Sequence, residues 1–356
     1  MIGVFLNNSS VKYGYSNTRA KGMRSLLLTN SQMSPLLNSK NTESILSFLM
    51  QTDYSKALSE FGGANIKNSI IDFALSKNLA EKISTIIRIT PHSDRTIMRS
   101  IVGRWDLHNI KLALEAKENN LSYEKISKYI IDYGEYNHLV LKEVLKEDNI
   151  ERMLQRLIKN SSYTNILLSA EKAYLEHKKA SYAIAAIDLA YYSSLEHTMH
   201  LLYNRGERAG RIVRMEIDSR NILSAIRAKS RKSEFSSFQK LLINGGSLSI
   251  DELKKLYGSS DSVESLASKI TIFDLKEPIL QYKKNRRMLV FEVAMRNKLL
   301  VAARKAISQS VLCITSIISY VYLKEIEVST LRILIKGKEY GLSSEELSEL
   351  MIWKEN

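Results

Sequence analysis

Apolar residues recur along this chain at the three- and four-residue spacing of helices, and one such stretch is written three times. Trp105 to Lys117 is WDLHNIKLALEAK, residues 216–229 are EIDSRNILSAIRAK, and residues 325–338 are EIEVSTLRILIKGK. Aligning Asp106 with Asp218 and Glu327 brings Asn109 onto Asn221 and Thr330, Ile110 onto Ile222 and Leu331, and Lys117 onto Lys229 and Lys338, at offsets of 112 and 109 residues. An acid, an apolar residue four on, more apolar residues at the next i+3 and i+4, and a closing lysine describe one helix with a buried stripe. The pattern predicts the acids at helix N-termini and the lysines at C-termini, where each complements the dipole.

Two further markers keep this period. Tyr54, Tyr163 and Phe273 recur at offsets of 109 and 110, standing 52, 55 and 54 residues before the acid. After the lysine come Leu121-Ser122-Tyr123-Glu124, Leu248-Ser249-Ile250-Asp251 and Leu342-Ser343-Ser344-Glu345. In the last two, Glu252 and Glu346 follow the serine by three residues, the capping-box arrangement of a helix start. The first has Lys125 there and a weaker cap. Lysine and serine are five residues apart in copies one and three but 20 in copy two, so RKSEFSSFQKLLINGG is expected to be an insertion, with a turn at Asn244-Gly245-Gly246.

The tracts between the markers are helical too. Residues 11–30 begin with turn-prone Gly14, Ser16 and Asn17 and run into a helix that Pro35 stops. Asn41 to Leu58 carries Ile45, Phe48 and Leu49 at helical spacing and is expected to end around Tyr54. Asn165 to Tyr203 contains no glycine or proline, and Pro278 suits the first turn of a helix running through VFEVAMRNKLLVAARKAI. No tract alternates as a half-buried strand does, so the fold class is all-α. A repeat of about 110 residues is large enough to own a core, which predicts three similar helical domains at 1–135, 136–258 and 259–356. They could form a linear array or a pseudo-threefold cup.

Composition adds limits. A 44% apolar and 25% charged chain with 3 prolines and 14 glycines is globular rather than disordered. Its single cysteine, Cys313, excludes an internal disulfide and a cysteine-rich zinc site. The N-terminus has a short apolar start and no basic segment before it, unlike a secretory signal. The longest near-apolar run, Val311 to Leu323, is 13 residues. A bilayer needs roughly 20, so this run predicts a buried helix. The net charge of +14 points to nucleic acid, an anionic membrane surface or an acidic protein partner without choosing among them.

Catalytic motifs are missing. The sequence has no G-x-x-x-x-G-K-[ST] tract, no G-x-G-x-x-G after a strand and no G-x-S-x-G. His197 and His200 share a helical face with Glu196 nearby, but no third metal ligand is marked. The three repeated acids are equivalent by position, whereas acid–base chemistry needs carboxylates with separated pKa values. No catalytic residue, cofactor or metal is expected. Two basic tracts are the interface candidates: Arg205, Arg208, Arg211 and Arg214, and Lys283, Lys284, Arg286 and Arg287. The arginines form one stripe if Gly206 and Gly210 leave the helix unbroken. A solvated face paired with acids such as Glu207 and Glu216 is the plainer account of it, and no interleaved aromatics suggest a single-strand platform.

The tracts YGYSNTRAKGMRSLLL, WDLHNIKLAL, EIDSRNILSAIRAK and above all YVYLKEIEVSTLRILIKGKEYGLSSEELSEL resemble the C-subunit family of archaeal and bacterial A/V-type ATP synthases, the counterpart of the d subunit in eukaryotic vacuolar ATPases. The resemblance runs from about Tyr13 to Leu350. It implies three helical domains in a pseudo-threefold funnel or cup. It also implies a non-catalytic central-stalk component that couples the shaft, made by the D and F subunits, to the membrane proteolipid ring, passing torque between ATP turnover and H⁺ or Na⁺ translocation. Such a component is present in one copy per complex, lies peripherally on the cytoplasmic face of the membrane and meets its surface indirectly, without nucleic acid. The competing readings, a basic helical module that binds nucleic acid and an independent helical adaptor, have only the charge or the fold in their favour.

Overall fold

The computed structural model describes residues 2–60, 68–203 and 206–353, and among them every regular element is helical. In chain order these are α1 (Ile2–Arg24), α2 (Asn30–Leu37), α3 (Thr42–Leu49), α4 (Ser55–Ser59), α5 (Asn68–Ile89), α6 (Arg95–Val102), α7 (Arg104–Glu118), α8 (Tyr123–Ile126), α9 (His138–Val144) and α10 (Ile150–Ile158). They continue as α11 (Thr164–His177), α12 (Ala180–Leu202), α13 (Glu207–Ser230), α14 (Phe235–Phe238), α15 (Ile250–Gly258), α16 (Val263–Lys269), α17 (Lys276–Asn285), α18 (Leu289–Gln309), α19 (Thr315–Glu339) and α20 (Ser344–Leu350). The all-α expectation holds.

The chain gathers into two compact units, Leu46–Thr198 and Met1–Ile45 with Met199–Asn356. The first has a core that includes Leu75, Ile86, Met98, Ile110, Leu114 and Leu154. In the second, α13, α18 and α19 pack against one another and α1 lies along α19. The N-terminal segment therefore belongs with the C-terminal half.

Several local expectations are corrected. Gly14, Ser16 and Asn17 do not turn the chain, because α1 runs straight through them. Tyr13, Ser16, Asn17, Ala20 and Met23 are buried at i, i+3, i+4, i+7 and i+10. The Asn17 amide donates to the Cys313 carbonyl at 3.0 Å, so tertiary contact overrides its turn propensity. Pro35 stops nothing: α1 has already ended at Arg24, and Pro35 lies inside α2. The long helices expected after Asn165 and Pro278 are each broken by a residue in the left-handed region, Lys178 (φ 53°) and Arg286 (φ 57°). The helix expected between Asn41 and Leu58 ends at Leu49. The buried helix of Val311 to Leu323 begins at Thr315, and Val311 is exposed.

The larger correction concerns copy two. Asn109 donates to the Ile131 carbonyl at 2.7 Å and Asn221 to the Ile243 carbonyl at 2.7 Å, and Thr330 donates to the Ile352 carbonyl at 3.0 Å. Each bond spans 22 residues. The tract RKSEFSSFQKLLINGG is thus no insertion. Its α14, followed by a 3-10 turn at Gln239–Leu241, corresponds to α8 and the 3-10 turn at Ser127–Tyr129. Ser249 is the counterpart of Asn137, since each caps the helix that follows, α15 or α9. Leucine-serine pairs occur at two places in the unit, and the sequence pattern joins the wrong two. The predicted capping boxes at Ser249/Glu252 and Ser343/Glu346 are both formed, and Ser122 makes no side-chain cap.

Candidate partner-binding surface

Only one of the three repeated acids is where a dipole argument puts it. Asp106 is in the first turn of α7, but Gly103 before it is only a kink after α6, and Asp218 and Glu327 lie mid-helix in α13 and α19. All three are buried. Asp106 accepts the Tyr136 N–H at 2.9 Å and the Tyr163 hydroxyl at 2.9 Å. Asp218 accepts the N–H groups of Ser247 and Leu248, both at 3.0 Å. Glu327 accepts the Leu28 N–H at 2.5 Å and pairs with buried Lys324 at 2.9 Å.

Tyr136, Leu248 and Leu28 each stand one residue before a capping residue, namely Asn137 of α9, Ser249 of α15 and Thr29 of α2. The acids therefore do serve a helix N-terminus, that of another helix. In copies one and two the bond spans 30 residues forward. In copy three it reaches back to the start of the chain, where Thr29 and Gln32 form a capping box on α2. The N-terminal segment thus supplies to the third copy what the following loop and helix supply to the other two. Asn41 on the Ser44 N–H, Asn149 on Arg152 and Ser262 on Ser265 continue the correspondence into α3, α10 and α16.

Burial pushes the Asp106 and Asp218 carboxyls above the ordinary aspartate value, against the pull of the N–H groups they accept. Burial also raises the Tyr163 phenol, and the Asp106 charge beside it raises it further. The repeated lysines occupy the last turns, as expected, and also reach out. Lys117 donates to the Leu145 carbonyl at 3.2 Å and Lys229 to the Tyr257 carbonyl at 2.8 Å, each across 28 residues. Lys338 instead meets the Ser344 hydroxyl at 3.5 Å. Lys117, Lys229 and the three acids thus hold the protein's own backbone.

Of the basic candidates, Arg205 lies outside the described residues. Arg208, Arg211 and Arg214 do share the start of α13, which Gly206 precedes and Gly210 does not break. Arg208 and Arg211 are exposed and Arg214 is half-buried. Arg211 meets Glu207 at 3.4 Å, while Glu216 accepts the Tyr322 hydroxyl at 2.6 Å. Lys283, Lys284, Arg286 and Arg287 are all exposed where α17 ends. Arg286 pairs with Glu264 at 2.6 Å and lies over the Tyr282 ring, and Arg287 is 3.7 Å from Glu349. Burial opposes ionisation of Glu264, but its own N–H and the Arg286 guanidinium outweigh this and lower its pKa. His197 and His200 are exposed, and no group of three metal-binding side chains gathers among the described residues. Sequence reasoning missed Lys324 and the role of residues 28–49; the Thr29/Gln32 capping box was the signal available for the latter.

Fold and surface define a class: an all-α protein, internally repeated, in which buried polar side chains fasten one helix to the start of another. Among the described residues no helix is long and apolar enough to cross a membrane. The model of the ATP synthase (C/AC39) subunit family matches residues 16–350, and the chain belongs to that family. It is similar to the C subunit of the A-type ATP synthase of Methanocaldococcus jannaschii, at 26% identity over 345 residues covering 96% of this chain and 86% of the relative. The corresponding protein of Archaeoglobus fulgidus is 24% identical over 355 residues, covering 99% of each chain. That of Pyrococcus abyssi is 26% identical over 348 residues, covering 95% and 90%.

Proposed function

We propose that this chain is the non-catalytic central-stalk component of a rotary A/V-type ATPase, joining the shaft of D and F subunits to the membrane proteolipid ring. One copy per complex sits peripherally on the cytoplasmic face and passes torque between ATP turnover and H⁺ or Na⁺ translocation. The observation that carries this is the family match across residues 16–350. A torque coupler has to be stiff, and buried carboxylates and amides locked onto distant backbone supply stiffness, since a satisfied polar network admits one arrangement. Three similar helical domains around a pseudo-threefold cup are the arrangement we attach to it, the third completed by the N-terminal segment. The first boundary read from the sequence, at 135/136, runs through the Asp106–Tyr136 bond.

Arg205, Arg208, Arg211 and Arg214, and Lys283, Lys284, Arg286 and Arg287, are our interface candidates, for acidic surfaces of the complex or for anionic lipid headgroups beside the ring. The deciding experiment removes the chain from a reconstituted motor. ATP hydrolysis by the head should persist while ATP-driven ion uptake into vesicles is lost, and undiminished uptake would refute coupling. Charge reversal at Arg205, Arg208 and Arg211 should weaken capture of the shaft or the ring in a pull-down, and unchanged capture removes that stripe.

A further inference from the structure

Helix α17 turns an unusual face to solvent. Leu280 is 60% exposed, and Lys276 four residues before it, Lys283 three after and Lys284 four after are the positions that surround a residue on a helix. Pro278 and Tyr282 are buried on the opposite side and fix this rotation. None of the three lysines is in an ion pair among the described residues, whereas Arg286 and Arg287 are held by Glu264 and Glu349. Beyond the left-handed turn at Arg286, α18 begins with Leu289, itself 42% exposed. The corner offers two leucines and three uncommitted ammonium groups.

We propose that this corner docks on an anionic phospholipid surface, with Leu280 and Leu289 entering the headgroup layer and Lys276, Lys283 and Lys284 set on lipid phosphates. This rests on the reading of the chain as a component held at a membrane. A folded acidic partner would need a recess for Leu280 and carboxylates in matched positions, and it would favour the planar fork of arginine. A lipid surface needs neither: it takes lysines as mobile point charges and admits single apolar side chains. The arginines of the corner are already engaged within the chain.

The test is co-sedimentation of the full-length chain with vesicles of equimolar phosphatidylglycerol and phosphatidylcholine, against pure phosphatidylcholine. Binding should appear only with the anionic lipid and fall with salt. At about fivefold per lysine, the triple variant K276Q/K283Q/K284Q should bind on the order of a hundredfold more weakly. L280S should lose about tenfold, and E277Q, which removes the acid beside Leu280, should bind more tightly. K240Q/K254Q/K255Q, an equal change of charge on other elements, should have little effect, with circular dichroism confirming that each variant is folded. Equal binding to neutral vesicles, or equal losses in the two triple variants, overturns the proposal. So does a lack of vesicle binding combined with lysine-dependent capture of the D and F subunits, which would assign the corner to an acidic protein. Motor membership is read separately, by co-purification with the rotary components, so the two failures are distinguishable.

Discussion

Asp106, Asp218 and Glu327 hold the same place in the repeat, and each offsets part of the cost of its burial with a different second partner: a tyrosine hydroxyl, a second N–H, and a lysine. For the two aspartates burial dominates, so the folded pKa lies above the ordinary value of 3.8. The folded chain then keeps protons that the unfolded chain has released, and their contribution to stability falls as pH rises from about 4 through the folded value. Urea unfolding of the wild type and of D106N/D218N across this window should show the wild type losing stability relative to the variant as pH rises; parallel curves would disprove the assignment. Comparison with the variant is needed because Glu252, Glu264 and Glu345 have lowered pKa values and act in the opposite sense. A glycine stands over each aspartate, Gly134 and Gly246, where a Cβ would overlap the carboxylate. Asp218 is buried and doubly bonded and cannot swing aside. Gly246→Ala should therefore cost about 2–3 kcal/mol in unfolding free energy, and a cost below about 1 kcal/mol would show that the carboxylate can move.

Each element is defined at its ends more than by its middle. Lys178 and Arg286 end α11 and α17 in the left-handed region without a glycine, a termination that no composition rule announces. The starts are more legible. Ser249 and Ser343 form complete capping boxes, whereas Ser122 makes no side-chain cap. Replacing Ser249 or Ser343 by alanine should cost about 1 kcal/mol each, and Ser122→Ala close to nothing. Thermal unfolding of the three variants compares them, and equal shifts would contradict the geometry. Residues 28–49 are the element whose place is hidden in the sequence. Their pattern, a capping residue, a short helix, a second capping residue and another short helix, is that of α9–α10 and α15–α16. The correspondence is obscured because the segment begins at the opposite end of the sequence from Glu327, the acid that holds its Leu28 N–H.

At the scale of the molecule, a third copy completed by the N-terminal segment makes the two ends of the chain interdependent. Glu327 holds the Leu28 N–H, Asn17 holds both backbone groups of Cys313, and the Ser344 hydroxyl donates to the Leu37 carbonyl. A chain lacking residues 1–40 should lose hydrogen-exchange protection through α19 and α20 while residues 46–198, a separate compact unit, keep theirs. Unchanged protection of α19 would show that the segment is an ornament. Under the proposed coupling role, this closure would keep the last repeat from being the compliant point under torque.

The helical class, the period and the capping boxes are legible in the chain alone because they are written in local spacing, and the family resemblance because it is carried by contiguous tracts. It also brought together Asn109, Asn221 and Thr330 before any contact was visible. What the repeated acids do, that copy two carries no insertion, and that residues 28–37 serve the third copy emerge only from contacts made in three dimensions. Each of these depends on which distant N–H a carboxylate meets. That is a matter of three-dimensional proximity, on which a pattern of three- and four-residue spacings is silent.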